Sequence, residues 1–183
     1  MTSDDRRNLV LVGMMGSGKT EVGRRCAQQL DRPFLDTDAL VEVVSGRTVR
    51  ELFLTVGEGA FRGMESAAVQ DALASPVPVV ISCGGGAVLD ASNRKALRRG
   101  GFVVWLRASP SELGRRVEAV GLTERPLLST AAASGSHPLD AIKRLAEIRE
   151  DAYKASAHTT VETEGRTLDE VTDQVLALFA EPT

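Results

Sequence analysis

The sequence predicts an α/β fold of three layers, in which a five-stranded parallel sheet lies between helices that cover both of its faces. Short apolar runs alternate with amphipathic helical stretches along the 183 residues, and this alternation is typical of parallel strands joined by crossover helices. The central runs Val77–Ser82 and Phe102–Leu106 are almost continuously apolar, as expected for strands buried on both faces. With 43% hydrophobic and 26% charged residues, the chain can form a packed core.

The predicted elements follow one another with short connections. The strands are Leu9–Val12, Pro33–Leu35, Val77–Ser82, Phe102–Leu106 and Thr159–Val161. The longer helices are Lys19–Leu30, Glu58–Leu73, Ala91–Arg99, Ser109–Val117, Leu139–Ala155 and Leu168–Phe179, and two short helices are Ala39–Val44 and Val49–Leu54. The length favours a single domain over residues 1–183.

One segment breaks the alternation of strands and helices. Residues 118–138 are rich in Gly, Ala, Ser and Thr and show no clear periodicity. Irregular segments of this length in compact domains are usually functional or disordered. We interpret the segment as a mobile lid.

Composition limits the kinds of partner and compartment. The net charge of −3 gives no general reason to expect nucleic acid or an anionic membrane as partner. The two cysteines, Cys26 and Cys83, are too few for a disulfide scaffold, and with the two histidines they lack the spacing of a zinc site. The start of the chain has no apolar segment long enough for a signal or a membrane span. We therefore expect a cytoplasmic protein with reduced thiols. We also expect a monomer, although nothing in the composition determines the oligomeric state.

The stretch Gly13–Thr20 matches the phosphate-binding pattern G-x-x-x-x-G-K-[ST] between a predicted strand and a predicted helix. Gly16 and Gly18 allow backbone N–H groups to surround phosphate oxygens, and the helix that follows adds its positive N-terminal end. Lys19 can bridge the β- and γ-phosphates, and the Thr20 hydroxyl can bind Mg²⁺. The alternative is a chance glycine-rich turn. Because GTPases, ATPases and small-molecule kinases share this loop, the acceptor has to be identified from other residues.

Two carboxylates follow the second predicted strand, at the edge where α/β proteins bind ligands. Asp36 is placed to face a metal ion through water, and Asp38 to meet hydroxyl groups of a substrate. A different interpretation is that Asp38 only caps the helix that follows.

A second candidate cluster begins with Phe61-Arg62, early in a predicted helix whose apolar stripe is Phe61, Met64, Ala68 and Leu73. Arg62 and Glu65 are three residues apart, so the carboxylate can hold the guanidinium in place. Taken alone, this pair is typical of an ordinary surface ion pair.

Three further features complete the candidate site. Gly84, Gly85 and Gly86 directly follow Ser82-Cys83 at the end of the third strand, where glycines let another molecule approach the backbone; the alternative is a tight turn, and Ser82 could also touch a metal-bound water. Arg125 lies in the predicted lid within Arg-Pro-Leu-Leu, where a cation can stabilise a transferred phosphoryl group. Arg149 lies on the helix after the lid, four residues before Tyr153.

Together these motifs resemble those of the shikimate kinases. That family combines, in this order, a Walker A loop, Asp-x-Asp after the second strand, Phe-Arg, Gly-Gly-Gly, Arg-Pro-Leu-Leu in the lid, and an Arg followed four residues later by Tyr. Each motif occurs here in the family's order between Gly13 and Tyr153. The resemblance predicts a fold of the P-loop NTPase type.

The resemblance implies an ATP-dependent transfer of phosphate to the 3-hydroxyl of shikimate, with Mg²⁺ as cofactor. The product, shikimate 3-phosphate, belongs to chorismate and aromatic amino acid biosynthesis. Catalytic roles are implied for Lys19, Asp38 and Arg125. ATP contacts are implied for Gly16, Ser17, Gly18, Lys19, Thr20, Glu21, Arg116, Arg125 and Arg166. Shikimate contacts are implied for Asp38, Arg62, Gly84, Gly85, Gly86 and Arg149, and Mg²⁺ contacts for Thr20 and Asp36.

Glu21 and the length of the lid depart from the family's usual pattern. Glu21 follows Thr20 where many relatives carry a small hydroxyl residue. Because an inward carboxylate would repel phosphate, we expect its side chain to face solvent. Two other functions stay open: another small P-loop kinase, such as one for gluconate or a nucleoside monophosphate, and a catalytically silent nucleotide-binding module.

Overall fold

The sheet brings the carboxyl ends of five parallel strands to one edge. The computed structural model describes residues 7–120 and 137–181. Its strands β1 to β5 are Asn8–Val12, Phe34–Asp36, Val80–Ser82, Gly101–Arg107 and Thr159–Glu162. Their order is β2-β3-β1-β4-β5, and every pairing is parallel. The predicted α/β class and the number of strands are confirmed.

Eight α-helices of the described ranges connect and cover these strands. Helices α1 to α8 are Lys19–Leu30, Thr37–Ser45, Val49–Thr55, Gly57–Leu73, Ala91–Gly100, Pro110–Val120, Pro138–Ser156 and Leu168–Ala180, and a 3₁₀ helix covers Ala87–Leu89. Each predicted helix is present, with ends that differ by at most three residues. The prediction of one domain over residues 1–183 is not tested by these elements and stays a prediction.

Two strand predictions were wrong at their starts, and proline explains both. The run predicted from Val77 pairs only from Val80, because Pro78 has no N–H for the ladder and Val77 is exposed. The strand predicted from Pro33 begins at Phe34, and the Pro33 carbonyl still accepts a hydrogen bond of 3.0 Å from the Val80 N–H.

The predicted lid is corrected at both ends. Helix α6 continues through Val120 and α7 begins at Pro138, so the residues from Glu118 to Val120 and Pro138 belong to helices. Residues 121–136, with Arg125, lie outside the described residues.

The sheet is covered on both faces, as its apolar strands predict. Along β1, the side chains of Leu9 and Leu11 pack in one core cluster with α1 and α8. The side chains of Val10 and Val12 pack in the other cluster with α4, α5 and α7. All four residues are fully buried. The strand ends are therefore fixed from both sides, which makes the edge above them a rigid place for a binding site.

The two cysteines, Cys26 and Cys83, are buried free thiols. Within the described ranges, no helix combines the length and apolar character that a membrane span requires.

Candidate functional site

The phosphate loop (Gly13–Thr20) leaves β1 and turns sharply into α1. Gly13, Gly16 and Gly18 have φ angles of 149°, 80° and 90°, which L side chains rarely adopt, so glycine is required there. Gly18 is the N-cap of α1 and provides no side-chain cap, which leaves the first N–H groups of the helix directed at the loop. Lys19 Nζ donates to the Met14 carbonyl at 3.0 Å and thus lies against the loop it is predicted to serve.

Hard oxygen donors lie together beside the loop. Thr20 Oγ1 donates to Asp36 Oδ2 at 3.1 Å, and Asp36 pairs in register with the buried Ser82 of β3. Among the described residues, no group of three or more His, Cys, Asp or Glu side chains is arranged to hold a metal ion. A hydroxyl and one carboxylate fit Mg²⁺, which keeps several waters and binds mainly through substrate phosphates.

The interpretation of Asp38 as a helix cap was wrong. Asp36 is the N-cap of α2, and its Oδ1 accepts from the Asp38 N–H at 3.1 Å, because the extended backbone at Asp36 turns its own side chain towards the first turn. The Asp38 carboxylate instead lies against Gly84, where an added Cβ atom would overlap it. The backbone of Gly84 is held from the same element, since its N–H donates to Thr37 Oγ1 at 2.8 Å.

The Arg62–Glu65 pair is buried on its carboxylate side. Arg62 Nη1 donates to Glu65 Oε2 at 2.7 Å, and Nη2 donates to Glu58 Oε1 at 3.0 Å. Glu65 is only 2% exposed, whereas Met64 is 37% exposed, so the predicted apolar stripe was wrong at Met64. Burial raises the pKa of the Glu65 carboxyl, and the Arg62 guanidinium opposes that shift. The interpretation as an ordinary surface pair was therefore wrong as well.

Arg149 approaches the same glycines from α7. Its guanidinium is buried, with the residue only 3% exposed, and Nη1 donates to the Gly85 carbonyl at 3.1 Å. The Tyr153 hydroxyl donates to the same carbonyl at 2.6 Å. On the other side, the Arg62 guanidinium packs so closely on Gly86 that a Cβ atom there would overlap it. The glycines thus allow two arginines to lie on either side of the backbone.

One cavity joins the phosphate loop to this cluster. Its volume is about 740 Å³. The lining residues include Lys19, Thr20, Asp36, Asp38, Arg62, Glu65, Ser82, Gly85, Gly86 and Arg149. We call Asp38, Arg62, Glu65, Gly84–Gly86 and Arg149 the acceptor site. Residues that are far apart in the sequence therefore meet in one cleft beside the loop.

A second cavity of about 450 Å³ continues from the other side of the loop and is lined by Gly16, Gly18, Arg116, Thr163 and Arg166 among others. Arg116 borders both cavities. Its Nη1 donates to Thr163 Oγ1 at 2.9 Å and its Nη2 to the Thr163 carbonyl at 2.8 Å. Arg166 donates to Gln174. The structure places both predicted arginines beside the phosphate loop.

The Glu21 side chain faces solvent, as predicted, and forms an exposed ion pair with Arg24 at 3.0 Å.

Sequence reasoning missed three residues that support the site: Thr37, Thr163 and Glu112. The Glu112 Oε1 atom accepts a hydrogen bond from Arg116 Nε at 2.7 Å. Hydrogen bonds from Arg115 and Arg116 lower the pKa of the Glu112 carboxyl to about 2. Only Thr37 had a usable signal, because it lies between the two aspartates.

Comparisons with known proteins agree with this geometry. The family model described as shikimate kinase matches residues 15–180. A shikimate kinase of Symbiobacterium thermophilum is 47% identical over 174 residues, which cover 95% of this chain and 97% of that protein.

Solved structures separate this family from its structural neighbours. The structure of shikimate kinase from Acinetobacter baumannii in complex with shikimate superposes with a TM-score of 0.87 at 33% identity, covering 96% of this chain and 93% of that one. A gluconokinase from Sinorhizobium meliloti has a TM-score of 0.59 at 22% identity, covering 96% and 92% of the two chains, which is a likeness of fold alone. The motifs, the cleft that they line and these matches lead to one conclusion: the chain belongs to the shikimate kinase family.

Proposed function

We propose that the protein transfers the γ-phosphoryl group of ATP to the 3-hydroxyl of shikimate. The observation that carries this proposal is the shared cleft of about 740 Å³, which places the buried guanidinium of Arg149 and the Glu65-bound guanidinium of Arg62 beside Lys19. A carboxylate substrate and a triphosphate repel each other, so each anion needs its own cations. Planar guanidinium groups suit a carboxylate better than lysine does.

In this proposal, the phosphate loop binds the nucleotide. Its backbone N–H groups and the start of α1 would surround the phosphates, and Lys19 would neutralise charge on the β- and γ-phosphoryl oxygens. Arg116 would border the adenine in the second cavity. Thr163 and Glu112 hold the Arg116 guanidinium there by hydrogen bonds. Thr20 and Asp36 would hold Mg²⁺, which when bound supplies positive charge at the phosphate oxygens.

In this proposal, the acceptor site binds and orients shikimate. Arg62, Arg149 and a backbone N–H of the glycine segment would hold the substrate's carboxylate, and Asp38 would orient the attacking hydroxyl towards the γ-phosphorus. Transfer would then proceed in line without a covalent enzyme intermediate, since positioning and electrostatic stabilisation supply most of the catalysis in such reactions. The predicted contribution of Arg125 lies outside the described residues.

The test uses purified protein, ATP and Mg²⁺ with shikimate, gluconate or a nucleoside monophosphate as acceptor, and measures ADP by a coupled assay. We expect rapid ADP formation with shikimate, and phosphorus–proton coupling at C3 in the NMR spectrum of the product. Preferred turnover of gluconate would replace the proposal by a gluconate-type kinase. Nucleotide binding without ADP formation in the presence of any acceptor would favour a silent module.

We propose further that the protein acts as a monomer in the cytoplasm. The described residues of this chain bring the phosphate loop and the acceptor site into one cleft, which is compatible with a monomer, and the buried free thiols suit a reducing compartment. Light scattering of the purified protein and fractionation of its source cells test the two statements.

A further inference from the structure

The glycines of the acceptor site form a turn in which glycine permits either orientation of the middle peptide. The Ala87 N–H donates to the Gly84 carbonyl at 3.1 Å, so Gly84–Ala87 is a β-turn with Gly85 and Gly86 at its centre. Gly86 has φ −101° and ψ −11°, close to the values of a type I turn. A type II turn keeps the same closing hydrogen bond, reverses the middle peptide and needs positive φ at the third residue. Glycine adopts that angle without steric cost.

The orientation of this peptide decides what the cleft offers to a substrate. No cis peptide bond occurs in the described chain, so the Gly85 carbonyl and the Gly86 N–H point in opposite directions. In the observed orientation the carbonyl points at α7, and the Gly86 N–H donates to no protein acceptor in the described residues. In the reversed orientation the carbonyl oxygen would take the place of the N–H, and it would repel a carboxylate.

Two side chains, Arg149 and Tyr153, hold the Gly85 carbonyl in the observed orientation, and only Arg149 also lines the cleft. There the proposed function assigns Arg149 to the substrate's carboxylate. Tyr153 does not line that cleft: it is 1% exposed, and its ring stacks on Trp105 with centroids 5.7 Å apart. Burial raises the pKa of Tyr153 to about 12, so the hydroxyl remains a donor at neutral pH. Its short hydrogen bond of 2.6 Å to Gly85 therefore adds to the one from Arg149 and comes from a group that does not line the cleft.

We propose that the Tyr153 hydroxyl is a positioning group for the acceptor, because it keeps the Gly85–Gly86 peptide in the orientation that presents an N–H to the substrate's carboxylate. This inference rests on the proposed function for the identity of the acceptor. It assigns Tyr153 an effect on carboxylate binding alone, through the turn and without contact with either substrate. Donation to the carbonyl also polarises the peptide and strengthens the N–H on its far side.

The experiment compares the wild type with Tyr153→Phe, which keeps the ring and removes the hydroxyl. We expect the KM for shikimate to rise about 3- to 10-fold, the effect of one hydrogen bond, with kcat and the KM for ATP unchanged within about twofold. The inhibition constant of shikimate methyl ester, which has no negative charge at that end, should differ little between the two proteins. Trp105→Phe is the matched control: it disturbs the same ring stack and should lower Tm without changing the KM for shikimate.

Three results would overturn the inference: an unchanged KM for shikimate in Tyr153→Phe, an equal weakening of shikimate and its ester, or an equal rise of KM in Trp105→Phe. A wild type that does not phosphorylate shikimate would overturn the proposed function instead. In that case crystal structures decide the role of Tyr153, since we expect positive φ at Gly86 in at least part of the Tyr153→Phe molecules. A Gly86 angle that stays negative throughout would refute the inference without reference to turnover.

Discussion

The phosphate loop and the acceptor site lie in one cleft but are built in opposite ways. The loop is a single stretch, Gly13–Thr20, whose shape follows from glycines with positive φ and from the start of α1. The acceptor site joins side chains of α2, α4 and α7 to a glycine turn after β3. The loop can form wherever a strand leads into a helix, whereas the acceptor site exists only when the whole sheet and three helices are in place.

This difference teaches where each kind of interaction comes from. The loop binds mainly with backbone N–H groups, whose directions are set by local dihedral angles. The acceptor site binds with buried charges, which are stable only when partners from other elements surround them. Changes in the loop should therefore affect the chemical step, and changes in the acceptor site should affect the binding of one substrate.

The largest effect is expected from Lys19→Ala. Loss of a cation beside the transferred phosphoryl group should lower kcat by on the order of a hundredfold or more. Steady-state kinetics with ATP and shikimate measure it, and the exposed Lys95 on α5 provides a control in Lys95→Ala. A kcat near that of the wild type would contradict the assigned role of the loop.

Arg149→Lys tests the acceptor half. Lysine keeps the charge but loses the planar fork that binds a carboxylate at two points, so the KM for shikimate should rise about 10-fold or more. The KM for ATP should stay within about twofold. Arg144→Lys, at an exposed position of the same helix, is the matched control. An equal rise of the KM for shikimate and the KM for ATP would contradict the proposal that Arg149 acts on the acceptor alone.

The two carboxylates on Arg62 sharpen the comparison further. Glu65 is buried, whereas the Glu58 side chain is 57% exposed. The ion pair of Arg62 with Glu65 is therefore strengthened by a low local dielectric, and the pair with Glu58 is screened by solvent. We expect Glu65→Gln to raise the KM for shikimate about tenfold, because the carboxylate that orients the Arg62 guanidinium is replaced by a neutral amide. Glu58→Gln should change that KM by less than about twofold. Similar values for both variants would show that burial does not matter at this pair.

The smallest effect concerns the scaffold that both halves share. His158 Nδ1 accepts from the Val103 N–H at 2.9 Å, and burial, Arg98 and Arg7 lower the pKa of this imidazole below its ordinary 6.5. The unfolded chain therefore binds the proton more readily, so stability should fall as the pH drops below about 6.5. His158→Asn keeps an acceptor and should flatten the dependence of Tm on pH between about 7 and 5. Identical pH profiles for the two proteins would contradict this.

Much of the fold and part of the site could be predicted from sequence because their signals are local. Helix α1 was predicted with its observed bounds, Lys19–Leu30, since the glycines before it and the apolar spacing within it are both short-range features. The site was harder at Asp36 and Asp38. Both carboxylates follow the strand that was predicted to end at Leu35, and only the extended backbone at Asp36 showed which of them caps α2.

The failure at Met64 and Glu65 has a physical cause of the same kind. Adjacent helix positions both lie near the buried face, and apolar character favours Met64. Glu65 is turned inwards because Arg62 binds it on one side and the Gly84 backbone lies against it on the other. One of these two partners, Gly84, belongs to another element, so periodicity within α4 could not reveal the inward position of Glu65.

The sequence by itself determined the α/β class, the phosphate loop and the family, because strand composition, glycine positions and motif order are all readable along the chain. Only the tertiary structure decided how Arg62, Gly86 and Arg149 share one cleft, and that Tyr153 contacts the glycine turn from behind. The physical reason is distance along the chain. A buried charge or a reversible peptide takes its final orientation from partners on other elements, and those partners meet only when the sheet and its helices pack together.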